Sequence, residues 1–284
     1  MTARPDVVRH PAPLLEELWK LPAFFRRDFL VMWSYRLAFF VDWANLIAQV
    51  VIFSLVGRLV DPRLLPSFGG TSTSYVEFVV TGIAVASFLQ IALGRVVNAI
   101  REEQLMGTLE SLLVTPTSPL TIQLGSVMYD LAYVPLRTVL FLVAVSVLFG
   151  ARLEAGGLIP VMVILLVFIP VVWGLGMVAA AAVLTFRRGA GALGFVVTVL
   201  MIGSNTYFPI DILPEWARSM AALNPISIAV EGTRAALLAG DGWGAIWPTI
   251  RLLLPMAALS LLIGVGALRL ALRRERRRGT LGLY

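Results

Sequence analysis

The sequence has no cysteine, one histidine (His10) and one lysine (Lys20). The lack of thiols excludes a disulfide framework and a thiolate metal site, and His10 precedes every apolar stretch, where it cannot serve a Ser–His relay. A Walker A loop needs G-x-x-x-x-G-K-[ST], yet no glycine lies near Lys20. The sequence therefore predicts no metal site, no nucleotide site of this type and no recognisable enzyme signature.

Charged residues are also scarce. They make up 14% of the 284 residues, against 58% hydrophobic residues, whereas a soluble domain has about 25% charged and 45–50% apolar residues. Such an excess cannot be buried in one water-soluble core. The formal net charge of +6 comes from arginines that flank apolar runs, a pattern typical of membrane proteins rather than of nucleic-acid binding.

Six apolar stretches approach the length of about 20 residues that crosses a bilayer. They cover 37–60, 76–97, 124–149, 158–185, 191–208 and 246–270. The sequence thus predicts an all-α integral membrane protein. Its six-span domain over 37–270 lies between an N-terminal tail (1–36) without signal-peptide features and a basic tail (271–284).

The placement of arginine and lysine predicts the orientation. With the N-terminus inside, 16 of these residues face the cytoplasm, six face outward, and only Arg137 lies mid-span. Both termini are therefore expected on the cytoplasmic side of a plasma or inner membrane.

Two segments outside the spans are amphipathic. Apolar residues recur at helical spacing between Leu14 and Tyr35, which predicts a helix lying in the bilayer surface; packing on the protein's own core is the alternative. The outward segment 209–245 mixes apolar and charged residues and is broken by prolines. It is expected to form a broken, re-entrant or interfacial helical hairpin between the fifth and sixth spans.

The cytoplasmic loop 98–123 is predicted to begin as a helical continuation of the second span. Gly107 can end that helix, Thr108 can cap a short one, and Pro116 turns the chain back. A short helix held beyond the membrane suits docking into a partner's groove, although a plain helical hairpin has the same sequence pattern.

Two groups of residues resemble motifs of the ABC exporter permeases of the type-2 superfamily. The loop group consists of Arg101, Glu102, Glu103, Gly107, Thr108, Leu109, Glu110 and Pro116. The hairpin group consists of Phe208, Pro209, Pro214, Trp216, Asn224, Pro225 and Arg234. They occur in the family's order and on opposite predicted sides of the membrane, so the resemblance covers most of the chain.

The resemblance implies a permease that pairs with a second permease, identical or not, and rests on a cytoplasmic ABC ATPase subunit. That subunit would bind ATP and Mg, leaving this chain without a cofactor. The loop group would couple to the ATPase, and the hairpin group would close the path externally. The implied function is export of a hydrophobic or lipid-linked substrate. An ion-coupled carrier or channel is the alternative; it should show broken spans and acids near the midplane.

Arg137 is the charged residue that most needs an explanation, because a charge at mid-membrane costs at least about 2.5–3.5 kcal/mol unless it is paired or hydrated. Asp130 lies two turns away on the same helix, and Asp42 in the first span and Glu77 are further candidate partners. Arg137 is expected either to form an interhelical ion pair or to line a hydrated path for an anionic headgroup.

Overall fold

In the computed structural model, the regular secondary-structure elements of the described residues are helices. The structure describes residues 14–60, 65–68, 73–105, 119–186, 197–244 and 246–278. Within these ranges the helices are α1 (Leu14–Ser34), α2 (Arg36–Gly57), α3 (Tyr75–Leu105), α4 (Pro119–Phe149), α5 (Leu158–Phe186), α6 (Glu215–Ala222), α7 (Pro225–Leu238) and α8 (Ile246–Arg278). Short 3-10 helices cover Ala155–Gly157 and Ile210–Ile212, and 197–202 is also helical.

The described helices confirm an all-α, multi-pass membrane protein. Within the described residues, four apolar stretches are long enough to cross a bilayer: Phe40–Gly57, Met128–Phe149, Ala155–Thr185 and Ile246–Arg274. The apolar part of α3, Tyr75–Ile91, is shorter. The predicted fifth span at 191–208 lies partly outside the described residues, so the number of six spans stays a prediction.

Helices α3 and α4 are longer than a bilayer crossing requires. Each has 31 residues and so measures about 46 Å, against a hydrocarbon layer of about 30 Å. The predicted helical continuation of the second span is present, since α3 runs on to Leu105. We call the end of the bundle where α3 ends and α4 begins the stalk end.

The opposite end, which we call the hairpin end, holds the start of α3, residues 150–157 and residues 203–224. There Ser74 and Glu77 form a reciprocal capping box, with Ser74 N–H donating to Glu77 Oε2 at 2.9 Å and Glu77 N–H donating to Ser74 Oγ at 3.2 Å. Glu77 Oε1 also accepts from the backbone N–H of Arg152 at 3.0 Å. Glu77 therefore ties together two connections that were predicted to share the outer side.

Helix α3 lies at the centre of the bundle, in contact with α2, α4, α5 and α7. Its stretch 78–86 is buried on every side and contains apolar residues, Thr81 and Gly82 but no charge. A helix that is apolar all round is buried either among neighbouring helices or in lipid, and here neighbouring helices surround it. Phe88 of α3 and Phe168 of α5 pack with ring centroids 5.8 Å apart in the same core.

Helix α1 packs one face against α4 and exposes the other. The Phe24 ring lies against Gly125, and the Phe25 and Tyr129 ring centroids are 5.6 Å apart. Trp19 and Trp33 on the remaining surface are 82% and 62% exposed. One face of α1 thus packs on the protein's own helices. The other face is still compatible with the predicted position in the bilayer surface.

Helices α5 and α8 form the closest helix pair, since both have glycine at their crossing. A Cβ on Gly174 would meet the backbone of Ser260 and lie 2.7 Å from Leu261 N, and a Cβ on Gly264 would meet the Gly174 carbonyl. Small residues let membrane helices approach in this way. Gly174 therefore serves packing within the chain.

We expect Gly264→Ala to destabilise the bundle by about 1–3 kcal/mol, because the added methyl forces two backbones apart. Thermal unfolding of the purified chain in detergent measures the effect. Gly266→Ala is the matched control: it lies two residues further along α8, a Cβ there meets nothing within 4 Å, and its midpoint should stay level or rise. Equal midpoints for the two variants would contradict the close crossing.

Candidate transport site

Helix α7 begins at the Asn224–Pro225 pair of the hairpin group. Asn224 Oδ1 caps the helix by accepting from Ile226 N–H at 3.0 Å, and Pro225 occupies the first helical position. Asn224 Nδ2 also donates to the Leu200 carbonyl at 2.7 Å. One side chain thus caps α7 and fastens it to the helical segment at 197–202.

Arg234 of α7 is fully buried and binds backbone carbonyls of two other segments. Its Nη2 donates to the Phe78 carbonyl at 2.8 Å and to the Asn205 carbonyl at 2.7 Å. Its Nε donates to Thr81 Oγ1 at 3.2 Å. The guanidinium carbon also lies 3.5 Å from the centroid of the Phe78 ring, a cation–π contact. Arg234 therefore joins α7, α3 and the loop at 203–207.

The loop at 203–207 presents its carbonyls because its backbone bends sharply. Asn205 adopts a φ of 59°, a left-handed conformation that asparagine tolerates better than most residues. Ser204 Oγ donates to Thr206 Oγ1 at 2.6 Å. A Cβ at Gly82 would collide with the Thr206 carbonyl, so glycine is needed for this loop to reach α3.

Glu231 lies one turn before Arg234 and is partly exposed. Burial raises the pKa of the Glu231 carboxyl, and the nearby Arg234 charge and a hydrogen bond from Asn205 oppose that rise. Burial lowers the pKa of Arg234 to about 9, with Glu231 opposing the shift. Arg234 therefore remains a cation at neutral pH, able to donate from every nitrogen.

The rest of the hairpin group lies nearer the surface. Pro209 is buried, Phe208 is half-buried and Pro214 directly precedes α6. Trp216 is 72% exposed. Arg218 Nη2 donates to the Asp211 carbonyl at 2.6 Å, which closes the turn before α6.

Arg137 pairs with Asp42 across α4 and α2, at 2.8 Å between Nη2 and Oδ2. This contact is an interhelical ion pair, and Asp42 is its partner. The Arg137 side chain is 2% exposed, whereas that of Asp42 is 50% exposed. Asp130 is buried, and Asp42, Asp130 and Arg137 are all within electrostatic reach of Tyr133.

The ion pair opens into a groove of about 380 Å³ between α2, α3 and α4. Its walls include several neutral polar side chains that the sequence analysis did not identify. Those on α2 follow Asp42 at helical spacing along one face, and this spacing could have revealed them. The lining residues are Asp42, Asn45, Leu46, Ala48, Gln49, Ile52, Ser87, Gln90, Ile91 and Arg137.

The structure describes only part of the loop group. Arg101, Glu102 and Glu103 lie on the last turns of α3. Gly107, Thr108, Leu109, Glu110 and Pro116 lie outside the described residues. Within the described ranges, no group of three or more His, Asp or Glu side chains could hold a metal ion.

Long apolar helices around a polar groove and a buried charge pair define a multi-pass membrane protein with a polar site between its spans. The chain belongs to the ABC-2 type transporter family, whose sequence model matches residues 20–238. It is also similar to a protein of Pyropia yezoensis named "Putative transport permease ycf38", with 29% identity over 198 residues. That match covers 64% of this chain and 66% of the relative, just under two thirds of the relative's length.

We expect replacement of Arg234 to loosen the hairpin end. Arg234→Met leaves buried carbonyls without a donor, at about 1–3 kcal/mol for each group. Arg234→Lys should recover only part, because a compact ammonium lacks the planar fork of donors that arginine presents. Hydrogen exchange of the amides at 203–207 measures the opening. The control is Arg251→Gln, an exposed arginine near the start of α8, expected to stay within about 0.5 kcal/mol. Equal opening in this control would contradict the central role of Arg234.

We expect the ion pair to show strong coupling in a double-mutant cycle. Asp42→Asn leaves the buried Arg137 charge uncompensated, at a cost of up to about 2.5–3.5 kcal/mol. Asp42→Asn combined with Arg137→Gln should be more stable than Asp42→Asn alone, since the arginine charge that lost its partner is also removed. Thermal unfolding of Asp42→Asn, of Arg137→Gln and of the double variant in detergent, beside the unmodified chain, gives the cycle, and strictly additive effects would refute the coupling.

Proposed function

We propose that this chain is the membrane-spanning permease subunit of an ATP-binding cassette exporter. A separate ATPase subunit would hydrolyse ATP with Mg, while the permease moves a hydrophobic or lipid-linked substrate out of the cytoplasm or inner leaflet. Membership of the ABC-2 type transporter family supports a transport role. The observation that carries the proposal is the pair of overlong helices α3 and α4, which reach beyond a bilayer at the stalk end.

The stalk end suits a cytoplasmic partner. Helices α3 and α4 exceed the hydrocarbon thickness by about 16 Å, and the loop group follows the last turns of α3. Exposed arginines near the end of α8, Arg273, Arg274 and Arg277, give that helix a basic C-terminal end. A positive end is expected on the cytoplasmic side, where an ATPase would bind.

The outer surface of α2 supports pairing with a second permease. The stretch Phe40–Gly57 is only 11% buried within the chain, and Asn45 and Gln49 on it are exposed. Amide side chains facing hydrocarbon are costly because lipid offers no hydrogen bonds. A second permease chain, or a hydrated path between two chains, would remove that cost.

Helix α3 provides the mechanical link in this proposal. It runs from the hairpin end, where Phe78 and Thr81 bind Arg234, past Ser87 and Gln90 of the groove, to the stalk end. Closure of two ATPase subunits would push on the loop after α3. A tilt of α3 would then change the groove and the hairpin end together, so that one side closes as the other opens.

The ion-coupled carrier remains the second candidate, because the half-exposed Asp42 is an acid within a span. A carrier of this kind would work without an ATPase. The two functions therefore differ in whether transport requires an ATPase. Co-purification and measurements of gradient-driven flux can distinguish them.

We expect the chain to co-purify with its ABC ATPase, and Glu103→Lys or Glu110→Lys to weaken the complex at least about tenfold, or about 1.4 kcal/mol, because each reverses a charge in the coupling region. Pull-down and ATPase assays measure this. Glu154→Lys, the same charge reversal on an exposed residue at the hairpin end, is the matched control and should bind normally. Flux driven through the chain alone by a proton or sodium gradient, with no ATPase bound, would favour the carrier instead.

A further inference from the structure

We propose that the groove between α2, α3 and α4 binds the zwitterionic headgroup of a membrane lipid that carries a primary ammonium and a phosphate. This deepens the proposed function and rests on it, since it names a substrate class for the permease. The argument uses the charges in the groove, the hydrogen-bonding groups that remain available there, and the position of the groove along the spans.

The first step concerns charge balance. The only charged side chains that line the groove within the described residues are Asp42 and Arg137, and they cancel. A net anion entering the groove would leave one uncompensated charge between the spans, which is costly. A zwitterion adds no net charge, so its phosphate can approach Arg137 while its ammonium approaches Asp42.

The second step concerns unused hydrogen-bonding capacity. Asp42 occupies Nη2 of Arg137, and the buried Nε and Nη1 of the same guanidinium have no acceptor within the described part of the chain. Buried donors of this kind normally have partners. A phosphate presents several acceptor oxygens and is the group that a guanidinium fork binds best. The Arg137 side chain is 2% exposed, so it would have to shift toward the groove to bring these donors to a phosphate.

The third step concerns the carboxylate and the neutral walls. Half of the Asp42 side chain is exposed to the groove, so its second oxygen can accept from an ammonium N–H. Asn45, Gln49 and Gln90 supply further donors and acceptors around the pair. A quaternary ammonium has no N–H to donate, and it should therefore bind less well than a primary one.

The fourth step concerns the source of the headgroup. Asp42 lies six residues after the first residue of α2, or about 9 Å along the helix axis, and two residues after the apolar stretch begins at Phe40. The pair therefore lies nearer one headgroup layer than the mid-span position predicted for Arg137. The adjacent α2 surface is apolar, with Val41 51% and Ile52 57% exposed. Acyl chains can lie on that surface while the headgroup occupies the groove, an arrangement that a soluble phosphate cannot use.

The test measures binding to the purified full chain in detergent by intrinsic tryptophan fluorescence. The ligands are short-chain phosphatidylethanolamine, phosphatidylcholine and phosphatidylglycerol, with soluble phosphoethanolamine and inorganic phosphate as competitors. We expect phosphatidylethanolamine to bind at least about tenfold tighter than phosphatidylglycerol, with phosphatidylcholine between them. The two soluble competitors should displace it poorly.

The decisive variant is Asp42→Asn combined with Arg137→Gln, which removes both charges and leaves no unpaired ion. We expect it to lose the preference for phosphatidylethanolamine. The matched control neutralises a pair of equal length on α1, Arg27–Asp28 at 2.8 Å, through Arg27→Gln with Asp28→Asn, and should keep the preference. If the groove variant does not fold, the ranking of lipids on the unmodified chain still decides.

Three results would overturn the proposal. Equal or tighter binding of phosphatidylglycerol would indicate a site for net anions, and efficient displacement by inorganic phosphate would indicate a free-anion site. An unchanged preference in the groove variant would show that the pair only holds spans together. The binding assay needs no ATPase, so the two proposals can fail separately. If the expected order of lipid affinities is not found but the chain still binds its ATPase, only the headgroup site is rejected. If the chain does not bind an ATPase but shows the expected order of affinities, only the exporter is rejected.

Discussion

Lipid offers no hydrogen bonds, so the polar groups that a membrane protein buries need partners from the protein, from ordered water or from a bound ligand. This constraint governs the two arginines buried in the described part of the chain. Arg234 binds backbone carbonyls and lies on the Phe78 ring, whereas Arg137 pairs with the carboxylate of Asp42. Main-chain acceptors are fixed by the fold, and a side-chain acceptor can move. The acceptors of Arg234 are therefore held in place by the fold, whereas the acceptor of Arg137 can change its position.

The Arg234 network makes the hairpin end a rigid unit. It holds α7, the loop at 203–207 and the first turns of α3, while Asn224 adds the helical segment at 197–202. The capping box at Glu77 joins residues 150–152 to the same unit. Helix α3 is thus anchored at one end and extends beyond the bilayer thickness at the other. In the proposed exporter, a force applied at the stalk end of such a helix would be transmitted as tilt, and the groove lies between the two ends.

Hydropathy predicted much of the fold, because a span needs length and apolarity and both are visible in a sequence. Helices α2 and α5 end within a few residues of the predicted spans. The site was harder to predict. Arg234 was identified by its motif, but its acceptors are backbone carbonyls, which leave no trace in the sequence. Asp42 was named as a candidate partner of Arg137 but could not be selected, since periodicity gives the faces of each helix and not which faces meet. The amides beside it were missed, although Asp42, Asn45 and Gln49 share one face of α2.

The groove between α2, α3 and α4 is more polar than the packing of these helices requires. An ion pair that served only to hold spans together would gain from full burial, and well-packed apolar residues often stabilise a core equally well. Here one partner is 2% exposed and the other 50% exposed, and neutral amides surround the exposed one. Such polarity is costly against hydrocarbon and inexpensive when the groove holds water or a polar ligand. The exposed half of the pair is therefore better explained by what occupies the groove than by the stability of the spans.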